Sequence, residues 1–171
     1  MKYWNYQITF AEIPDEITLC INITNCPIHC VDCHSKHLWK DIGEELTTQT
    51  LTRLIKPGIS CVCFMGGDND YDELRELVEF IRKEYTDLKV ALYSGRDSVQ
   101  QLLELSGPWL NSLDYIKVGP YKKEYGGLDH HTTNQRLYEI SKFSSLSLAS
   151  IVVKGVRYRV TGNDITYKLQ K

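Results

Sequence analysis

The chain has 171 residues, enough for one well-buried domain. Hydrophobic residues make up 42% and charged residues 25%, and the formal charge of −2 leaves no basic footprint for nucleic acid. No run of about eighteen apolar residues appears, and the N-terminus lacks the charged-then-apolar pattern of a leader, so a cytoplasmic chain with no membrane partner and reduced thiols is expected.

Ile17 to Ile23, "ITLCINI", is apolar and β-branched and predicts a strand that ends just before a cysteine-rich loop. Leu46 to Ile55 carries apolar residues at helical spacing and stops at the breaker "KPG". "ISCVCFM" predicts a short buried strand that ends in "GGD". Tyr71 to Tyr85 places Leu74, Leu77, Val78 and Ile81 on one helical face. "LKVALY" predicts a strand ending in "SGRD", Val99 to Leu105 a helix, and "LDYIKVG" a further strand. "PYKKEYGGLDHHTT" reads as a polar, glycine-containing loop, and Asn134 to Lys142 as a helix. The tail, "ASIVVKGVRYRV" and "DITYKL" on either side of "TGN", reads as strands around a turn.

Strand and helix alternate, which implies an α/β fold of mostly parallel strands. The expectation is one domain over 1–171, with a less regular part after about 142. Sites in such folds form beyond the carboxyl ends of the strands. There the sequence puts a cysteine loop, then Gly66-Gly67-Asp68, then Ser94-Gly95. Three individually weak signals on one rim describe a site.

Of the six cysteines, Cys26, Cys30 and Cys33 fall within eight positions, in "CPIHCVDC". Such a loop presents three thiolates to one side of an iron–sulfur cube and leaves the fourth iron open, as catalytic zinc sites keep an open position. The alternative is structural zinc held by the three cysteines with His29, His34 or His37. His34, directly after the last cysteine, is the histidine best placed to touch a cofactor. Gly66 and Gly67 let a ligand approach the backbone, and Asp68 suits a cationic amine. Asp68 could equally mark a turn near a helix N-cap. Cys61 and Cys63 alternate within a strand and, with Cys20, read as buried packing.

"CPIHCVDC" resembles the CxxxCxxC signature of radical S-adenosylmethionine enzymes, and "MGGD" at 65–68 resembles their glycine-rich motif for the methionyl amine. "CHSKHLW" is similar to the segment after the cysteines in glycyl-radical activating enzymes. With "TTNQRLYEI" at 132–140, the resemblance narrows to the activating proteins of anaerobic (class III) ribonucleoside-triphosphate reductases. It implies an incomplete (β/α) barrel of the radical-SAM type. Cys26, Cys30 and Cys33 would hold a [4Fe-4S] cluster, and Asp32, Cys33, His34, Gly66, Gly67, Asp68 and Ser94 would line S-adenosyl-L-methionine. Asp32 stands where many such enzymes place an aromatic residue under the adenine.

The implied partners are the glycyl-radical subunit of the reductase and a one-electron donor such as flavodoxin or ferredoxin. The "YKKEYGGLDHHTTNQR" loop is the expected docking surface for the reductase. Pyruvate formate-lyase or another glycyl-radical enzyme is an alternative target, and a non-catalytic zinc-binding module is the reading from a different class.

Overall fold

The computed structural model describes residues 1–140 in full and residues 149–153, 156–161 and 164–168 by their backbone. Ten strands form one sheet: β1 (Lys2–Thr9), β2 (Thr18–Ile23), β3 (Glu44–Glu45), β4 (Cys61–Met65), β5 (Lys89–Tyr93), β6 (Tyr115–Val118), β7 (Arg136–Ile140), β8 (Ala149–Val153), β9 (Val156–Thr161) and β10 (Asp164–Lys168). The helices are α1 (Thr48–Leu54), α2 (Tyr71–Glu84) and α3 (Val99–Ser106). Across the sheet the order is β10-β9-β8-β7-β6-β5-β4-β2-β1-β3.

The middle of the sheet is parallel, through the pairs β2–β4, β4–β5 and β5–β6. Both flanks are antiparallel, β1 and β3 on one side and β7 to β10 on the other. The expected parallel alternation thus holds only for the central four strands. β1 and β3 lie outside it because β1 folds back on β2 without a helical crossover.

The predicted helix over Asn134–Lys142 is corrected: Arg136–Ile140 is a strand. The edge of β6 leaves unpaired backbone groups, and β7 satisfies them in register from Tyr115↔Glu139 to Val118↔Arg136. Tertiary pairing outweighs local propensity there. Residues 141 and 142 of that prediction lie outside the described residues. After about 142 the described backbone forms antiparallel strands, with a register shift between Ile165 and Tyr167, and Gly162 and Asn163 of the predicted turn lie outside the described residues.

The main core lies on the helical face of the sheet. There Leu19, Ile21, Val62, Phe64, Val90, Leu92 and Ile116 meet Leu51, Leu74, Leu77, Val78, Ile81 and Leu102. On the opposite face Cys20, Cys61, Cys63, Ala91, Tyr115 and Leu137 form a second buried cluster with Ile13. Cys20, Cys61 and Cys63 are all buried, as expected for packing residues, and Cys61 and Cys63 share one face as their alternation predicts. β3 pairs only with Lys2 and Tyr3 of β1, beyond which Trp4, Tyr6 and Ile8 are half exposed. Among the described residues no helix is long and apolar enough to cross a membrane.

Candidate functional site

The cysteine loop leaves the carboxyl end of β2 and is closed at its base by two backbone bonds, from Asn25 N–H to Lys40 C=O and from Cys26 N–H to Leu38 C=O, both 3.0 Å. Within it Asn25 and His29 take positive φ, 59° and 50°. Asn and His are among the side chains that tolerate that region best. Trp39 stacks on His29 with ring centroids 4.8 Å apart, which braces the loop from within. Cys26, Cys30 and Cys33 are all free and partly exposed.

Backbone amides serve these sulfurs. Ser35 N–H donates to Cys33 Sγ at 3.3 Å. Burial pushes the Cys26 thiol up, the amides of Ile28 and His29 pull it the other way, and the nearby charges of Asp68 and Cys30 push it up again. Such donors stabilise a thiolate once a metal replaces the proton. The described residues contain no group of three or more His, Cys, Asp or Glu side chains placed to hold a single metal ion. One ion needs donors converging on a point, whereas an iron–sulfur cube offers each thiolate its own iron. Three free, partly exposed thiols on one loop are the donor type that an iron–sulfur cluster takes.

Beside the loop, β4 ends at Gly66 and Gly67, with φ of 112° and 111°. Only glycine adopts this conformation without strain. Gly66 N–H donates to Tyr93 C=O at 2.9 Å, which fixes the turn against the end of β5. Asp68 is buried and ties the two turns together. Its Oδ1 accepts from Ser94 Oγ at 2.6 Å and from the Tyr71 hydroxyl at 3.0 Å, and its Oδ2 accepts from Gly95 N–H at 2.9 Å. Asp68 is not the cap of α2. Asp70 fills that position, accepting from the amides of Asp72 and Glu73.

The loop and the β5 turn touch directly. A Cβ added at Gly95 would lie 2.7 Å from Ile28 Cγ1, so the absence of a side chain there seats the cysteine loop on the sheet. The structure therefore brings together Gly66, Gly67, Asp68, Ser94 and the segment carrying Cys26 and Cys30. Asp32 and His34 are exposed, and His34 packs against Tyr121 with ring centroids 4.7 Å apart. That contact links the cysteine loop to the segment after β6. Asn134 and Gln135 close this segment at its base, donating to Pro120 C=O at 2.8 Å and Gly119 C=O at 3.3 Å.

Three further residues, Arg96, Tyr71 and Lys117, escape sequence reasoning. Arg96 donates through Nε to the Tyr71 hydroxyl at 3.0 Å and through Nη2 to Asp68 C=O at 3.3 Å. Lys117 is buried in β6, in register with Tyr93 and through it Met65. Its Nζ donates to Gly119 C=O at 2.9 Å and lies 5.9 Å from the centre of the Tyr93 ring. Burial pushes Lys117 down to about 8, against the opposing pull of Cys30, Asp68, Cys63 and Glu12. The available signal was a lysine inside an apolar strand, at a position that alternation assigns to a face.

A family model described as a 4Fe-4S single cluster domain matches residues 17–140. The match spans β2 to β7 and includes the cysteine loop and both turns seated beside it. Its description names an iron–sulfur cluster, not zinc. No curated protein and no solved structure matches the chain.

Proposed function

The chain belongs to the 4Fe-4S single cluster domain family, and on that premise we propose that it is a radical S-adenosylmethionine enzyme that activates an anaerobic ribonucleoside-triphosphate reductase. One observation carries this reading. The cysteine loop, the Gly66-Gly67-Asp68 turn and the Ser94-Gly95 turn meet at the carboxyl ends of three neighbouring parallel strands. Three strand–crossover–strand units with the site at that end support a partial barrel of the radical-SAM type. When bound, the cluster and S-adenosyl-L-methionine would supply the one-electron radical chemistry that ends on a glycine of the reductase.

The chain's own residues position these groups. Cys26, Cys30 and Cys33 would hold three irons and leave the fourth for the amine and carboxylate of the cofactor. Gly66 and Gly67 would let the methionyl moiety approach the backbone. Asp68 Oδ2 takes a single donor where Oδ1 takes two, which leaves it the oxygen better able to accept from the cofactor's ammonium. Ser94 acts through Asp68, holding the carboxylate in place. The Lys117 ammonium suits the carboxylate, and Asp32 and His34 would border the cofactor on the loop side. The 121–136 segment would receive the glycine-bearing loop of the reductase, and flavodoxin or ferredoxin would deliver the electron.

The test is anaerobic reconstitution with iron and sulfide, followed by reduction with cofactor and either the reductase or pyruvate formate-lyase, read by electron paramagnetic resonance. A glycyl radical on the reductase is expected, lost in Cys30→Ala and kept in Cys61→Ser. A radical on pyruvate formate-lyase alone would move the target. A fully loaded cluster that never cleaves the cofactor would end the enzymatic reading.

A further inference from the structure

We infer that Arg96 is a positioning residue whose fixed positive charge sets the reduction potential of the cluster that Cys26, Cys30 and Cys33 would hold. The inference rests on the cysteine assignment above and is independent of the target enzyme.

Arg96 is anchored at both ends. Its N–H donates to Ser94 Oγ at 3.0 Å and its C=O accepts from Gly119 N–H at 2.7 Å. At the head, Nε is bound to Tyr71 and Nη2 to Asp68 C=O. The preceding residue, Gly95, lies directly against Ile28, midway between Cys26 and Cys30. The guanidinium is thus held on the Asp68 turn, whose carboxylate is itself bound to Gly95, the residue that seats Ile28.

The carboxylate of Asp68 does not need this cation. Ser94, Tyr71 and Gly95 already donate to it, and Arg96 Nε stands 3.9 Å from Oδ1, beyond hydrogen-bond range. Besides its hydrogen bonds to Tyr71 and the Asp68 carbonyl, the guanidinium carries a charge that acts at a distance. Asp68 is a buried carboxylate bound to Gly95, on which the cysteine loop is seated, and negative charge there disfavours adding an electron to a neighbouring cluster. Arg96 offsets that field from the same turn. Reduction adds one negative charge, taken from a one-electron donor and accompanied by no bond change in the protein. A fixed cation therefore stabilises the reduced form.

The experiment is a redox titration of the cluster-loaded protein under argon, without S-adenosyl-L-methionine or any partner, so its outcome is separate from that of the activation assay. Wild type is compared with Arg96→Gln, Arg96→Met, which keeps the stem, and Arg96→Lys, which keeps the charge. In either neutral variant the reduction equilibrium should shift about tenfold toward the oxidised cluster, which is about 59 mV for one electron. Arg96→Lys should stay near wild type. A merely structural role would lower iron content or stability without moving the potential. A neutral variant with full iron and the wild-type potential, or a lysine variant that shifts as far as glutamine, would overturn the assignment.

Discussion

A methyl group on Gly95 has no room: its nearest neighbour would be Ile28 Cγ1 at 2.7 Å, with Cγ2 at 3.1 Å and Cβ at 3.2 Å. These are atoms at the root of a branched side chain, which cannot swing away as the end of a lysine can. Gly95→Ala should therefore lift the cysteine loop, lowering the iron retained after reconstitution and destabilising the fold by about 1–3 kcal/mol. Ile28→Ala in the same chain should restore most of the iron, since it removes the atoms that clash. Iron per chain in the four members of this cycle checks the claim, and additive losses would refute it. At this scale the sequence announces Cys26, Cys30 and Cys33 by spacing alone. It shows Gly95 as a small turn residue, but not Ile28 as the reason. Arg96 and Tyr71 are silent because they meet from different turns, joined only when the strands align, whereas Lys117 stands out only as a lysine inside an apolar strand.

Among the elements, α2 is the one whose sequence and structure agree most closely. Leu74, Leu77, Val78 and Ile81 form its buried stripe, acidic residues fill its first turn, and Arg82 and Lys83 its last. Asp70 caps it, so Asp70→Ala should cost about 1 kcal/mol in urea unfolding while leaving the iron content unchanged. A loss of iron in that variant would mean the cap helps hold the adjacent Gly66-Gly67-Asp68 turn. β2, β4, β5 and β6 were legible as apolar runs because helices cover one face and loops the other. β1 was not, although Trp4, Tyr6 and Ile8 alternate with polar residues. Those three positions are half exposed, so alternation there does not mark a core. β7 misleads in the opposite way, since "TNQRLYEI" contains good helix formers and becomes a strand through pairing with β6.

For the molecule as a whole, Lys117 links proton binding to stability. Its ordinary value is 10.5, and burial brings it to about 8 in the native state. Between those values the unfolded chain keeps a proton that the native chain has released, so this group's contribution to stability rises with pH from about 8 to about 10.5. The buried thiols of Cys61 and Cys63, pushed up by burial, act with the opposite sign above their ordinary value of 9.0. Comparison with Lys117→Met isolates the lysine. Wild type should gain about 2–3 kcal/mol relative to the variant as pH rises from about 7.5 to about 10.5, measured by urea unfolding of the cluster-free chain under argon. A constant difference would mean that Lys117 is not desolvated.

Apart from β3, the strands lie side by side in the order in which they occur along the chain. During synthesis, every strand from β4 onward can join the edge left by the strand beside it, and none must be inserted into a sheet already closed. The cysteine loop nevertheless waits for its seat. Ile28 emerges 67 residues before Gly95 (95 − 28), an interval of several seconds at roughly 5–20 residues per second. Until Gly95 arrives, the loop has nothing beneath it, and iron offered to the nascent chain meets thiols whose arrangement is not yet fixed. Cluster insertion should follow the completion of β5 rather than the appearance of the cysteines.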